Sequence, residues 1–220
     1  MTTIILTSTV NVKESIRTLY QKNKYERIET YTKSVLQWLN KTKFNIVLVE
    51  NSGHTFDELN TEKLQYKERF EVISFKESEM AKYLENNPSK GESELFAINY
   101  AHSNSNLIRY STFIIKVTSR YFIPELEAYL SSYDLNKYDC LTQSNRLRCE
   151  MVGCHINNFS YIFGNYGHEL TDKNFMIDGE VYVESIYNYR IKLFNNILVC
   201  KKFLIEPTIR GCENKYYTDI

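Results

Sequence analysis

The chain has 220 residues, 43% of them hydrophobic, and its 27 basic and 27 acidic side chains cancel to a net charge of zero. That is enough apolar matter for one core, and there is no overall field to gather nucleic acid or an anionic membrane surface. No stretch approaches the roughly 18–20 apolar residues of a membrane span, and the apolar run at residues 3–10 is too short for a signal peptide.

The first strand is expected over Thr3–Ser8. Asn11-Val-Lys-Glu14 has the form of a capping box opening a long helix, on which Tyr31, Val35, Trp38 and Leu39 share one face. Strands follow at 44–50 and 70–75, helices at 78–86 and 90–103, then a strand at 112–117 and a helix from Pro124 to about Ser131. The remainder reads as strands near 138–143, 148–156 and 197–206, with a helix near 180–192. The alternation of strand and helix in the first half specifies an α/β fold with a mostly parallel sheet flanked by helices. The strand-rich second half adds antiparallel strands at one edge, and 1–220 reads as a single domain. The five cysteines (140, 149, 154, 200 and 212) fall on or beside strands, as reduced thiols of a cytoplasmic protein do. Cys149, Cys154 and His155 lack the paired spacing of a zinc site.

The most telling segment is Thr112–Glu125. A short β-branched run turns polar at Lys116, Thr118, Ser119 and Arg120, and a proline then opens a helix. A strand ending in a polar knot before a helix places that knot at the carboxyl edge of the sheet, where open α/β sheets bind ligands. Thr7, Ser8 and Thr9 end the first strand, and Glu50 and Asn51 the second. Ser89-Lys90-Gly91-Glu92 is a capping box with an ammonium and a small residue in its first turn, a candidate clamp for phosphate or sugar.

In this order the motifs resemble the nucleotide-sugar-dependent glycosyltransferases of the GT-A fold, in particular small ones of bacterial surface-polysaccharide clusters and large DNA viruses. Val49-Glu50-Asn51-Ser52-Gly53 is similar to the family segment whose acid holds the nucleobase, which puts Glu50 in the acid's position. Residues 89–99 are similar to the family's next helix start, with Gly91 and Asn99 matching. Thr118 to Pro124 has the spacing from the family's Asp-x-Asp to its proline, but Thr118 and Arg120 replace the two metal-binding aspartates. A guanidinium cannot ligate a hard cation, so no divalent metal is expected at that place. Lys116 and Arg120 either neutralise a donor diphosphate directly or pair with Glu92 or Glu94 in a structural bridge.

The resemblance implies a glycosyltransferase moving a hexosyl or pentosyl group from a nucleotide diphosphate-sugar to a glycan acceptor. It implies a catalytic base at Glu184, with Asp178 and Glu180 as reserves and His155 as a contact to the acceptor or an alternative base. It also implies a C-terminal loop from which Arg210 and Lys215 reach the diphosphate, where an unsupported chain end would simply fray. The alternatives are a nucleotidyltransferase making a nucleotide sugar, against which the glycine-free Ser8–Lys13 loop counts, and a non-catalytic GT-A protein that binds glycans.

Overall fold

An unbroken apolar run forms a strand only where both faces of its sheet are covered, and Thr2–Ser8 (β1) is used in that way. The computed structural model describes residues 1–13, 19–85, 89–165, 173–177, 180–211 and 213–220. After β1 come α1 (Lys24–Lys41), β2 (Asn45–Glu50), α2 (Asn60–Gln65), β3 (Phe70–Ser74) and α3 (Glu77–Met80). Then follow α4 (Lys90–Asn104), α5 (Asn106–Arg109), β4 (Phe113–Thr118) and α6 (Leu126–Leu130). The second half holds β5 (Cys140–Thr142), β6 (Met151–His155), α7 (Phe159–Phe163), β7 (Met176–Ile177), β8 (Glu180–Val181) and α8 (Val183–Ile191). The last strands are β9 (Ile197–Val199), β10 (Leu204–Ile209) and β11 (Tyr216–Asp219).

Seven strands form one sheet in the order β3-β2-β1-β4-β6-β5-β9. The first four are parallel, β6 runs antiparallel to both β4 and β5, and β9 is parallel to β5. The expected mostly parallel α/β sheet with antiparallel additions at one edge is therefore present. Successive residues of β1 feed opposite layers. Ile4 and Leu6 pack with Val35, Trp38 and Leu39 of α1, while Ile5 joins Val47, Val49, Leu95 and Ile98 on the α4 side. Each buried aliphatic of this kind contributes about 1.5–3 kcal/mol. Trp38 also donates its indole N–H to the Tyr121 carbonyl at 2.9 Å, which ties the loop after β4 to α1.

The chain leaves β1 toward β2 and β3, then returns on the other side of β1 as β4. The strand order therefore reverses between β1 and β4, and the crevice beyond their carboxyl ends is the ligand position for such a sheet. Because β6 is antiparallel, it begins at that same edge, with Met151 beside Val117.

Several expectations need correction. Asn11–Lys13 is not helical, and α1 starts at Lys24, where Asn23 caps it by accepting from the Tyr25 N–H at 2.9 Å. Glu14 lies outside the described residues. The helix expected over 78–86 is the short α3 and a separate turn at Lys82–Leu84. The strand expected over 197–206 divides, because β9 joins the main sheet whereas β10 turns away to pair with β11. The chain end is not frayed: Phe203 and Ile220 exchange backbone hydrogen bonds at 2.7 and 2.9 Å, and Ile220 is buried in the α1-side core. The thiols of Cys140, Cys149, Cys154 and Cys200 are free and buried, and Cys212 lies outside the described residues.

Candidate active site

A cleft of about 570 Å³ opens at the carboxyl ends of β1, β2 and β4. Its floor is a polar network. Thr9 donates to Asn51 Oδ1 at 2.6 Å, and Asn51 Nδ2 donates to Glu77 Oε2 at 3.0 Å. Glu77 is buried, accepts from Ser93 Oγ at 3.0 Å and is ion-paired with Lys13. Below this floor Glu50 is fully buried and faces inward. Its carboxylate accepts the backbone N–H groups of Val10, Ser52 and His54 at 2.8, 2.9 and 2.8 Å, together with the Ser52 hydroxyl. It shapes the two loops and does not line the cleft.

One wall is cationic. Arg27, on the first turn of α1, is buried and donates to the carbonyls of Thr9 at 2.6 Å and Gln21 at 2.9 Å. Burial chiefly holds its guanidinium below the usual value; Tyr31 opposes that, and the like charge of Arg120 adds to it. Arg120 follows β4, and its Nε is buried without a hydrogen-bond partner. Burial alone would lower this guanidinium, but the phenols of Tyr31 and Tyr121 beside it raise it above its usual value. Among the described residues no carboxylate lies within ion-pair distance of either arginine. Gly211 closes over Arg120 so tightly that a Cβ there would come 2.8 Å from a guanidinium nitrogen, and the Gly211 carbonyl accepts from Tyr20 N at 2.8 Å. Arg210 lines the same wall and is ion-paired with Glu213.

The acids facing this wall come from α4, from the residue before β6 and from α8. Lys116 is fully buried and bonds Glu94 Oε2 at 2.9 Å and the Cys149 carbonyl at 2.8 Å. Burial would depress this ammonium, but Glu94, together with Cys149 and Glu150, offsets it and holds the group above its ordinary value. Glu94 and Glu150 both line the cleft. Glu184 is half-buried in the first turn of α8 and lines it too, with no hydrogen bond or ion pair to any described residue. Gly91 is small for a different reason than close approach of a ligand. A Cβ there would come 2.7 Å from the Val181 carbonyl and 3.0 Å from Val183 Cβ, so its lack of a side chain lets the β8–α8 corner pack on α4.

The structure thus brings Thr7, Ser8, Thr9, Asn51, Lys90, Gly91, Thr118, Arg120, Glu184 and Arg210 to one cleft. Glu50, Lys116 and Ser119 are buried and do not line it. Lys215 is exposed in the β10–β11 turn. His155 pairs with Phe113, at the start of β4 and the opposite edge of the sheet, where its Nδ1 accepts from Asn157 N at 3.3 Å. It therefore cannot serve as base or acceptor contact in this cleft. Asp178 lies outside the described residues, and so does the side chain of Glu180. Glu94, expected only as a bridge partner of Lys116 or Arg120, pairs with Lys116 and also lines the cleft, and Arg27, Tyr31, Glu77 and Glu150 are among the cleft residues that sequence reasoning missed. Only Arg27 left a signal, a cation four residues before Tyr31 on the buried face of α1.

Folds of this kind commonly place a divalent cation at the end of the fourth strand. Here that position offers the Thr118 hydroxyl, a buried Ser119 and the Arg120 guanidinium. Hard cations require carboxylate or carbonyl oxygens and are repelled by a guanidinium. Among the described residues no three His, Cys, Asp or Glu side chains gather as a ligand set. The donor set at the end of β4 does not fit such a metal.

A parallel β3-β2-β1-β4 sheet with its cleft at the β1/β4 reversal and an antiparallel β6 defines a GT-A-like glycosyltransferase fold, and solved structures agree. The chain is similar to a Desulfovibrio desulfuricans G20 protein assigned as a nucleotide-diphospho-sugar transferase, at 13% identity and a TM-score of 0.51, over 91% of this chain and 79% of that one. It is similar to the glycosyltransferase GlyE of Streptococcus pneumoniae TIGR4 at 12% identity and a TM-score of 0.52, over 90% of this chain and 44% of GlyE. It is similar to an active-site mutant of LgtC at 6% identity and a TM-score of 0.50, over 90% of this chain and 72% of that one. No family model matches the sequence, and no curated protein does. At these identities the likeness concerns the fold. Among the described residues no helix is long and apolar enough to cross a membrane.

Proposed function

We propose that residues 1–220 form one domain of a cytoplasmic glycosyltransferase that moves a hexosyl or pentosyl group from a nucleotide diphosphate-sugar to a glycan acceptor of a bacterial or viral surface polysaccharide, without a metal at the end of β4. The observation that carries the reading is Arg120: a guanidinium at the strand-order reversal, with a buried, unpartnered Nε and, among the described residues, no carboxylate counter-ion. A buried donor without a partner is costly, and an anion entering the cleft would supply one. Arg27 adds a second fixed positive charge, and together the two suit the two phosphates of a donor.

The chemistry follows from that placement. The Glu184 carboxylate, on a residue that lines the cleft, takes the proton of the acceptor hydroxyl. The acceptor oxygen forms its bond to the anomeric carbon as the bond to the diphosphate breaks. The electron pair leaves with the diphosphate, where Arg120 and Arg27 stabilise the growing charge.

Calorimetric titration with UDP and GDP tests the reading. The wild-type chain is expected to bind one of them, and Arg120→Ala to weaken that binding by about 1.5–3 kcal/mol, as for hydrogen bonds to charged groups. The ligand-free melting temperature should hardly change. An unchanged affinity with a lowered melting temperature would make Arg120 a structural residue and defeat the proposal.

A further inference from the structure

The proposed function leaves unused a carboxylate that the fold anchors firmly in the cleft. Glu150 immediately precedes β6 and its side chain is 12% exposed. The surrounding backbone is pinned at three successive residues. The Cys149 carbonyl accepts from Lys116 Nζ at 2.8 Å, the Glu150 carbonyl from Thr118 N at 2.9 Å, and Met151 N donates to Gln143 Oε1 at 2.8 Å. The side chain is also anchored, but on one oxygen only. Oε2 accepts from Gln143 Nε2 at 2.9 Å and from Arg148 Nε at 3.1 Å. Arg148 is itself fixed, stacked 3.7 Å from the centre of the Tyr217 ring and donating to the Asp219 carbonyl at 3.1 Å. Oε1 has no partner among the described residues, although Glu150 lines the cleft.

A carboxylate in a purely structural bridge spends both oxygens, or turns the spare one to solvent. This one is held through Oε2 by a buried amide and an immobilised guanidinium, which leaves Oε1 unpaired on a residue that lines the site. Such an oxygen can only accept hydrogen bonds, and it repels phosphate. It therefore suits hydroxyl groups. Its position selects which hydroxyls: Glu150 is bonded to Thr118, two residues before Arg120, and β4 and β6 are neighbours at about 4.8 Å. A sugar joined to a phosphate on Arg120 would lie within its reach.

We infer that Glu150 is the specificity-determining residue for the transferred sugar, its Oε1 accepting hydrogen bonds from that sugar's ring hydroxyls. The inference rests on the diphosphate reading of Arg120 and adds the part of the donor that is read. Gln143 and Arg148 are positioning residues, since they act on the donor only through Glu150. Because the carboxylate is already oriented, recognition costs little reorganisation. A site built around a hydroxyl discriminates strongly against a sugar that lacks it.

The test compares a nucleoside diphosphate with its own sugar conjugates by calorimetry, using UDP and GDP and a panel of UDP- and GDP-sugars on the full chain. Glu150→Ala is expected to bind the free diphosphate like the wild type and to lose about tenfold or more in affinity for the preferred nucleotide sugar. Glu150→Gln keeps the shape and one acceptor oxygen, so it should fall between the two, and it covers the case in which the alanine variant does not fold. A donor deoxygenated at the read hydroxyl should bind the wild type more weakly but be indifferent to Glu150→Ala. Equal losses for free diphosphate and nucleotide sugar, or no loss for either, would overturn the inference while leaving the diphosphate site standing. Failure of the wild type to bind any nucleoside diphosphate would instead overturn the underlying reading and this one with it.

Discussion

Replacing Lys116 with methionine tests whether the ion pair under the cleft is structural. The ammonium is 0% exposed and the Glu94 side chain 19% exposed, so the two partners do not suffer equally when separated. Breaking a buried pair by removing one member costs about 3–5 kcal/mol, because the other charge is left uncompensated. In Lys116→Met the stranded charge is Glu94, which reaches the cleft and can be hydrated, so the lower end, about 3 kcal/mol, is expected. For a domain of this size that is roughly 6–12 °C of melting temperature. Glu94→Leu strands the fully buried ammonium with the Cys149 carbonyl and Thr118 Oγ1, at 3.5 Å, as its remaining partners among the described residues. It should cost more than Lys116→Met, and the double variant should recover much of the difference by removing both charges. The sign with pH follows from the raised folded-state value of Lys116. Its contribution is fully present below the unfolded lysine value of about 10.4 and is lost only as pH rises through the folded one, so the gap between wild type and Lys116→Met should stay flat from about pH 7 to 9. Urea denaturation followed by circular dichroism measures all three variants. Equal costs for the two single variants, or a gap that closes on going from neutral to mildly alkaline pH, would refute the argument.

Glu184→Gln keeps the side-chain shape but cannot take a proton, so turnover should fall at least ~100-fold with diphosphate affinity near wild type; steady-state rates and calorimetry separate the two. In Gly211→Ala the new methyl group would lie 2.8 Å from the Arg120 guanidinium, whose flexible end can swing aside. Nucleotide affinity should therefore drop by about 1 kcal/mol, roughly fivefold, with little change in melting temperature, and a titration showing intact affinity would contradict the placement of Arg120. Since Thr118 and Arg120 stand at the end of β4, EDTA should leave sugar transfer largely intact. Activity that disappears with chelator and returns with Mn²⁺ would mean that a carboxylate elsewhere binds metal.

What the sequence determined by itself was the frame. Local chemistry settles the core strands, because residues such as Ile4–Leu6, Ile46–Val49 and Phe113–Val117 can be satisfied only in a sheet covered on both faces, and their polar ends then have to share one edge. The 3.6-residue period likewise marked the α1 face of Tyr31, Val35, Trp38 and Leu39. The roles of the charged residues were decided by the tertiary structure. Lys116 and Arg120 are four residues apart on one segment and both read as phosphate ligands or both as bridge partners. Alternation along β4 turns Lys116 into the layer beneath the cleft, where Glu94 of α4 neutralises it, whereas Arg120 emerges beyond the strand between two tyrosines, with no carboxylate among the described residues at ion-pair distance. Glu50 occupied a suggestive position, yet three loop N–H groups turned it inward. His155 sat in a suggestive strand, yet β6 runs the other way and carries it to the far edge. Glu150 had no motif at all, and only the antiparallel pairing of β6 with β4 brings it beside Arg120's segment. Burial and charge pairing between residues far apart in sequence are properties of the packed chain, so no local pattern encodes them.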